Sequence, residues 1–289
     1  FPYMNDASYV IAAACRSFGI NSESLPMQTQ EDLDLARKYT SARECFPMIC
    51  TTGSFLKKLM EPGVDPAKVS FFMPDHNGPC RFGQYNRFQR VLFDRLGFDK
   101  SNDGSYEDIS GGHGTKFRFN TWKGFVALDM IRKLKQERKP YELVPGNTEK
   151  VYQQALADLV KCMENGAGDL LDTLARIAHT FTQIPLSNGY RKPVIAVVGE
   201  IFMRDNAFCS GHLVERLERF GAETWIAPFA EWLSYSTIRY TRDSRWKGDF
   251  KGVIKSKIQE YSQETSARKI ARQFHGLFDE DKEVAVKDM

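Results

Sequence analysis

The run Pro193-Val194-Ile195-Ala196-Val197-Val198-Gly199 constrains the fold more than any other part of the chain. It is an apolar stretch of strand length, bounded by residues that interrupt regular structure. A loop over 200–210 follows, then the helical pattern of Leu213 to Phe220, closed by Gly221, and a return strand from Glu223 to Ala227. Strand, loop, helix and strand in that order predict a β-loop-α-β unit with parallel pairing.

The first part of the chain carries the same signs. Val69-Ser70-Phe71-Phe72-Met73-Pro74 reads as a buried strand, followed by a loop over 75–79. Next comes a helix whose apolar positions Phe88, Val91, Leu92 and Leu96 fall at helical spacing, with Gly97 to close it. Upstream, Phe1 to Met4 and Ser22 to Met27 read as short strands. Asn5 or Asp6 can cap a helix running to Phe18-Gly19, and a second helix is expected near Leu33 to Tyr39. Pro47 suits the first turn of a third, ending near Met60. The stretch 100–114 is rich in Gly, Ser, Asp and Asn and reads as loop, whereas 121–179 reads as helices. The expected architecture is α/β, with two Rossmann-like doubly wound domains and a helical connection. Its bounds are 1–118, 119–190 and 191–289, the last including C-terminal helices.

Length and charge narrow the function classes. At 289 residues the chain has room for two domains. A net charge of +3 speaks against a dedicated nucleic-acid surface, and the mixed charges from Lys251 onward read as solvated helices. No apolar run approaches the ~20 residues of a membrane span. No signal peptide is visible, and six widely spaced cysteines do not resemble a secreted disulfide framework, so a reducing, cytoplasmic setting is expected. Phe1-Pro2-Tyr3-Met4 looks like the middle of a strand, so the chain is expected to be a piece of a longer polypeptide.

Three cysteines stand out by position. Cys45, Cys80 and Cys209 each lie where a helix is expected to begin, and Cys80 and Cys209 follow strands through loops. A helix N-terminus carries free N–H groups and a partial positive charge, which favour the thiolate, the metal-binding form. Ligands in open α/β sheets collect beyond the strand ends, so facing sheets would let the three thiols converge in a cleft as an iron–sulfur or zinc site. None of the pairs has the close C-x-x-C spacing of zinc ribbons or ferredoxins. The competing reading of any cysteine is a small buried hydrophobe. Cys15 and Cys162 read that way; Cys50, on the helix that Cys45 opens, is a core residue or a further ligand. His212 completes a possible Cys₃His zinc set with Cys45, Cys80 and Cys209, or caps a helix.

Arg81, Gln84 and Arg204 flank the thiols and suit either charge compensation or helix-end salt bridges. His76 and His113 have no assigned role. The string Gly111-Gly112-His113-Gly114-Thr115-Lys116 fails the phosphate-loop spacing, and no G-x-S-x-G elbow is present. Trp225, Trp232, Tyr235 and Tyr240 read as core or domain interface.

Several strings together carry a resemblance. They are Phe1-Pro2-Tyr3-Met4, Glu44-Cys45-Phe46-Pro47, Thr51-Thr52-Gly53, Phe72-Met73-Pro74, Gly78-Pro79-Cys80-Arg81-Phe82-Gly83-Gln84-Tyr85, Pro140-Tyr141-Glu142 and Val198-Gly199-Glu200-Ile201. The chain resembles, as far as Tyr240, the C-terminal region of acyl-CoA dehydratase activase-related proteins. That region is similar to the subunits of 2-hydroxyacyl-CoA dehydratase and benzoyl-CoA reductase, and to double-cubane cluster proteins. The resemblance implies a 4Fe–4S cluster held by cysteines between Rossmann-like domains. It implies an ATP-driven activase of the sugar kinase/actin type as electron donor, and an acyl-CoA thioester as a substrate class. The cluster ligands it implies are Cys45, Cys80 and Cys209. Where the family has a second cysteine three residues after the first, this chain has Met48, with Cys50 two residues further. That departure leaves the fourth iron ligand open and speaks against a double cubane.

Overall fold

The computed structural model describes residues 1–41, 43–74, 80–99, 101–104, 114–187 and 190–278, with the backbone alone for 102–104. The expected loops at 75–79 and 105–113, with His76 and His113, lie outside these residues. Elements follow in the order α1 (Ala7–Arg16), α2 (Gln30–Arg37), α3 (Phe46–Leu59), β1 (Ser70–Phe72), α4 (Tyr85–Arg95), β2 (Asn102–Gly104), α5 (Gly114–Arg138), α6 (Asn147–Glu164), α7 (Leu170–Thr182), β3 (Val194–Val197), α8 (Ile201–Asp205), α9 (Leu213–Arg219), β4 (Glu223–Ile226), α10 (Ala230–Trp246) and α11 (Phe250–Arg272). The chain divides into two units. The first is Phe1–Arg118 with Gly199–Leu213; the second is Phe119–Val198 with Val214–Met289.

In the first unit α1 to α4 begin and end close to where the sequence places them. The side-chain oxygen of Asn5 accepts from the Ala7 N–H at 2.8 Å to start α1. Gly19, at φ +81°, takes the chain out of that helix in a conformation a β-carbon disfavours. Thr29 and Asp32 form a reciprocal cap on α2, the Asp32 carboxylate accepting from the Thr29 N–H at 2.8 Å. Pro47 occupies the first turn of α3. Where α2 and α3 cross, a β-carbon on Gly53 would overlap the Asp32 carbonyl oxygen, so glycine sets how closely the two backbones approach. Phe55 from α3, Phe71 from β1 and Phe93 from α4 form an aromatic centre, with Phe55 stacked on Phe71 at 4.3 Å.

Two expected strands do not form. Segments 1–4 and 22–27 meet through isolated bonds: Leu25 N–H donates to the Phe1 carbonyl at 2.8 Å, and the Gln28 side chain to the Tyr3 carbonyl at 3.0 Å. Phe1 also donates its amino group to the Glu23 carbonyl at 2.9 Å, but at the next ladder position the Tyr3 carbonyl takes a side-chain amide instead of a backbone N–H, so the pairing stops there. In compensation, β2 lies in the stretch expected to be loop and pairs parallel with β1, Ser70 opposite Asn102 and Phe72 opposite Gly104.

In the second unit α5, α6 and α7 bury Ile131, Leu134, Tyr152, Leu159, Leu174 and Phe181. The Asp129 carboxylate accepts from the Phe229 and Ala230 N–H groups at 3.0 and 2.7 Å, tying α5 to the start of α10. Strand β3 pairs parallel with β4, Val194 opposite Glu223 and Val197 opposite Ile226, as the β-loop-α-β pattern predicts. The protein is therefore mostly helical with parallel strand pairs, an α/β arrangement in the coarse sense. Among the described residues each unit holds one two-stranded sheet. No described helix is long and apolar enough to cross a membrane.

Candidate functional site

Cys45, Cys50, Cys80 and Cys209 all belong to the first unit. Segment Gly199–Leu213 returns to it from the far side of the sequence and brings Cys209 with it. Cys45 is the N-cap residue of α3; its carbonyl accepts the first helical bonds, from Met48 at 2.9 Å and Ile49 at 3.2 Å. Its extended backbone directs the chain into a helix whose first turn Pro47 already favours. Cys80 precedes a 3-10 turn, Arg81–Gln84, that leads into α4, and it is exposed.

Cys209 does not open a helix as expected. It lies in a turn after α8, its N–H donating to the Asn206 side-chain oxygen at 2.9 Å. Asn206 is fully buried and gives its amide to the Gln28 side chain at 2.7 Å, which fixes the turn against the start of the chain. The Cys209 thiol points inward and donates to Cys50 Sγ at 3.6 Å. That bond, then burial, then the negative charge of Glu200 push the Cys209 thiol far up from its ordinary value. Cys50, Ile49, Leu33, Ala36 and Phe202 make the apolar bed under this contact.

Tyr85, at the head of α4, joins the two other thiols. Its ring is buried and its hydroxyl lies beside the Cys45 thiol. Burial first, then the neighbouring Cys45, Glu200 and Cys80 drive its pKa far above the ordinary phenol value. Cys45, Cys80 and Glu200 are thus all within electrostatic reach of one hydroxyl, and Glu200 is also within reach of Cys209. Glu200 itself accepts from the Met203 N–H at 2.8 Å and caps α8.

The flanking arginines hold backbone. Arg81 donates to the Arg43 carbonyl at 3.1 Å, linking the segment that carries Cys80 to the one that carries Cys45. Arg204 pairs with Asp205 at 3.3 Å, and the Asn5 amide donates to Asp205 at 3.0 Å. Gln89 on α4 donates to Thr51 and Thr52 on α3, each at 3.2 Å, which fixes the register of the helices that present Tyr85 and Cys45. Compared with protein-family models, curated proteins and solved structures, the chain finds no match.

Cys15 and Cys162 are buried elsewhere. Burial, offset in part by the Ser22 bond, pushes the Cys15 thiol up to about 11. Burial and the bond to Asp169 push Cys162 up to about 12, so both stay protonated near neutrality. Among the described residues no three His, Cys, Asp or Glu side chains stand close enough to hold a single metal ion. The structure therefore brings Cys50 to Cys209, and Cys45 with Cys80 to Tyr85. Sequence reasoning missed Tyr85, Glu200 and Asn206. Tyr85 ends the most distinctive string of the resemblance, a signal that could have singled it out.

Proposed function

We propose that this chain is an iron–sulfur module for reduction or electron transfer, served by an ATP-hydrolysing activase of the sugar kinase/actin type. Cys45, Cys80 and Cys209 would hold a 4Fe–4S cluster. The observation that carries the reading is that four thiols, Tyr85 and Glu200 gather in one unit from segments as distant as Cys45 and Cys209. Soft thiolate donors are the chemistry such a cluster requires. The 3.6 Å contact between Cys50 and Cys209 suits a thiol pair; cubane thiolates bind different irons and stand further apart. Cys209 would leave Cys50 to bind iron, and Cys50 would stay behind as a core residue.

A cluster there would supply single electrons at low potential. Around it, the α3 N-terminus offers N–H groups and a positive dipole end to Cys45. The Tyr85 hydroxyl, beside Cys45, would be placed to hydrogen-bond a ligating sulfur and tune the potential of what it ligates. Arg81 holds the Cys80 and Cys45 segments together. An acyl-CoA thioester is the substrate class that goes with the family resemblance, as are a cytoplasmic setting and two Rossmann-like domains; the parallel strand pairs support the last.

Anaerobic loading with iron and sulfide, followed by absorption and electron spin resonance spectra, tests this. Charge-transfer absorption and a paramagnetic signal on reduction are expected. Zinc at one equivalent without sulfide would favour a structural Cys₃His site, and a metal-free product a scaffold that binds the ATPase.

A further inference from the structure

Cys50 and Cys209 lie 159 residues apart in the chain, yet their sulfurs are 3.6 Å apart. Each is held by a different device. Cys50 sits within α3 and is fully buried. Cys209 sits on a turn whose next residues include Gly211 at φ +62° and His212 at φ +56°, and it is half-buried. Asn206 anchors the Cys209 backbone at 2.9 Å, which leaves closure of the sulfurs to the side chains. A disulfide bond of about 2.05 Å needs the sulfurs to close by about 1.5 Å, shared between two side chains.

We propose that Cys50 and Cys209 are a modification site: a reversible intramolecular disulfide made by a peroxide and opened by a low-molecular-weight thiol. Hydrogen peroxide reaches the half-buried Cys209 before the fully buried Cys50, and because the Cys209 thiol is held protonated the first step is slow at neutral pH. The Cys209 sulfur attacks one peroxide oxygen; an S–O bond forms, the O–O bond breaks, and the leaving hydroxide takes the thiol proton as water. Cys50 sulfur then attacks Cys209 Sγ; the S–S bond forms, the S–O bond breaks, and the hydroxide leaves as a second water with the Cys50 proton. Two thiols are oxidised by two electrons, and one peroxide is reduced to two waters. Because Cys50 Sγ already stands 3.6 Å from Cys209 Sγ, closure within the chain outpaces mixed-disulfide formation with outside thiols. The bond would pin Gly199–Leu213 to α3.

The inference stands on the thiol geometry alone. If the iron–sulfur reading also holds, the disulfide removes Cys209 from the ligand set, and oxidation and cluster loading exclude each other. The test treats the metal-free full chain with hydrogen peroxide, alkylates the remaining thiols, and maps tryptic peptides by mass. The expected product links Glu44–Lys57 to Asp205–Arg216, two hydrogens lighter than the sum, and dithiothreitol reverses it. Because Glu44–Lys57 also contains Cys45, the link must persist in C45A and vanish in both C50S and C209S. C209S keeps the core intact should C50S fold poorly. A link that needs Cys45, or Cys209 found only as a sulfinic acid, overturns the proposal. A disulfide in a chain that never takes up iron would leave this inference standing and sink the iron–sulfur reading; a cluster without any disulfide would do the reverse.

Discussion

At the scale of single residues, Tyr85 and Asn206 decide how the thiols are presented. The Tyr85 hydroxyl stands beside the Cys45 sulfur, and burial with the surrounding negative charge keeps its proton in place. Y85F should cost no more than about 1 kcal/mol, because the ring still fills the core. The same variant has a spectroscopic signature. Since Tyr85 resists ionisation, absorbance titration to about pH 11 should give equal phenolate amplitudes for wild type and Y85F, although exposed tyrosines ionise near 10. A wild-type excess of one phenolate would contradict the described site. Cys45 and Cys80 were legible at this scale, because Pro47 and the Arg81–Gln84 turn fix helix starts by local rules. The Cys50–Cys209 contact was not, because nothing local relates residues so far apart in the chain. Tyr85 was hidden for another reason: apart from its place in the resemblance, a buried tyrosine at the head of a helix reads in sequence as a core aromatic.

At the scale of elements, close approach and capping carry the stability. G53A should destabilise the first unit by about 1–3 kcal/mol, because its methyl group would meet the Asp32 backbone rather than a side chain that could move. Urea denaturation checks it; an unchanged midpoint would mean that α2 and α3 do not pack as described. In the second unit Glu142 accepts from the Gly146 and Thr148 N–H groups, each at 2.7 Å, at the start of α6. Burial works against its charge, but these bonds and Lys139 prevail and hold its carboxyl below the ordinary carboxylate range. A lowered folded pKa means the stabilisation is present above the unfolded value, about 4.3, and is lost as pH falls through the folded one. E142A should therefore cost about 1 kcal/mol near neutrality, with a deficit that shrinks on acidification below the unfolded value. A pH series of thermal melts reads this directly.

The helices were legible from apolar spacing, Pro47, Gly97 and Gly221. Strand β2 was not: Asn102-Asp103-Gly104 has a turn composition, and pairing with β1 overrides it. The opposite failure occurred at Phe1–Met4, where side chains of Ser8 and Gln28 take the Met4 N–H and the Tyr3 carbonyl that a ladder would use. Helix α8 was overlooked within an expected loop because it is only five residues long.

At the scale of the whole molecule, the chain leaves the first unit at Arg118 and returns to it over Gly199–Leu213. That return delivers Cys209, Glu200 and Asn206 to residues from the first third of the chain. N206A would strand the buried Gln28 side chain and free the Cys209 turn, at a cost of about 1–3 kcal/mol. Hydrogen exchange should quicken around Gln28 and Cys209 in this variant; unchanged protection there would argue against the described return. The return was not readable from the sequence, where Glu200 to Ser210 continues the second α/β unit without a break.

The central claim is that Cys45, Cys80 and Cys209 act as one ligand set. Iron and acid-labile sulfide per chain, measured after anaerobic loading across the single cysteine-to-alanine series, test it most directly. The account predicts loss of both elements in C45A, C80A and C209A, with retention in C15A and C162A. Equal iron content across all five variants, or none in the wild type, would contradict it.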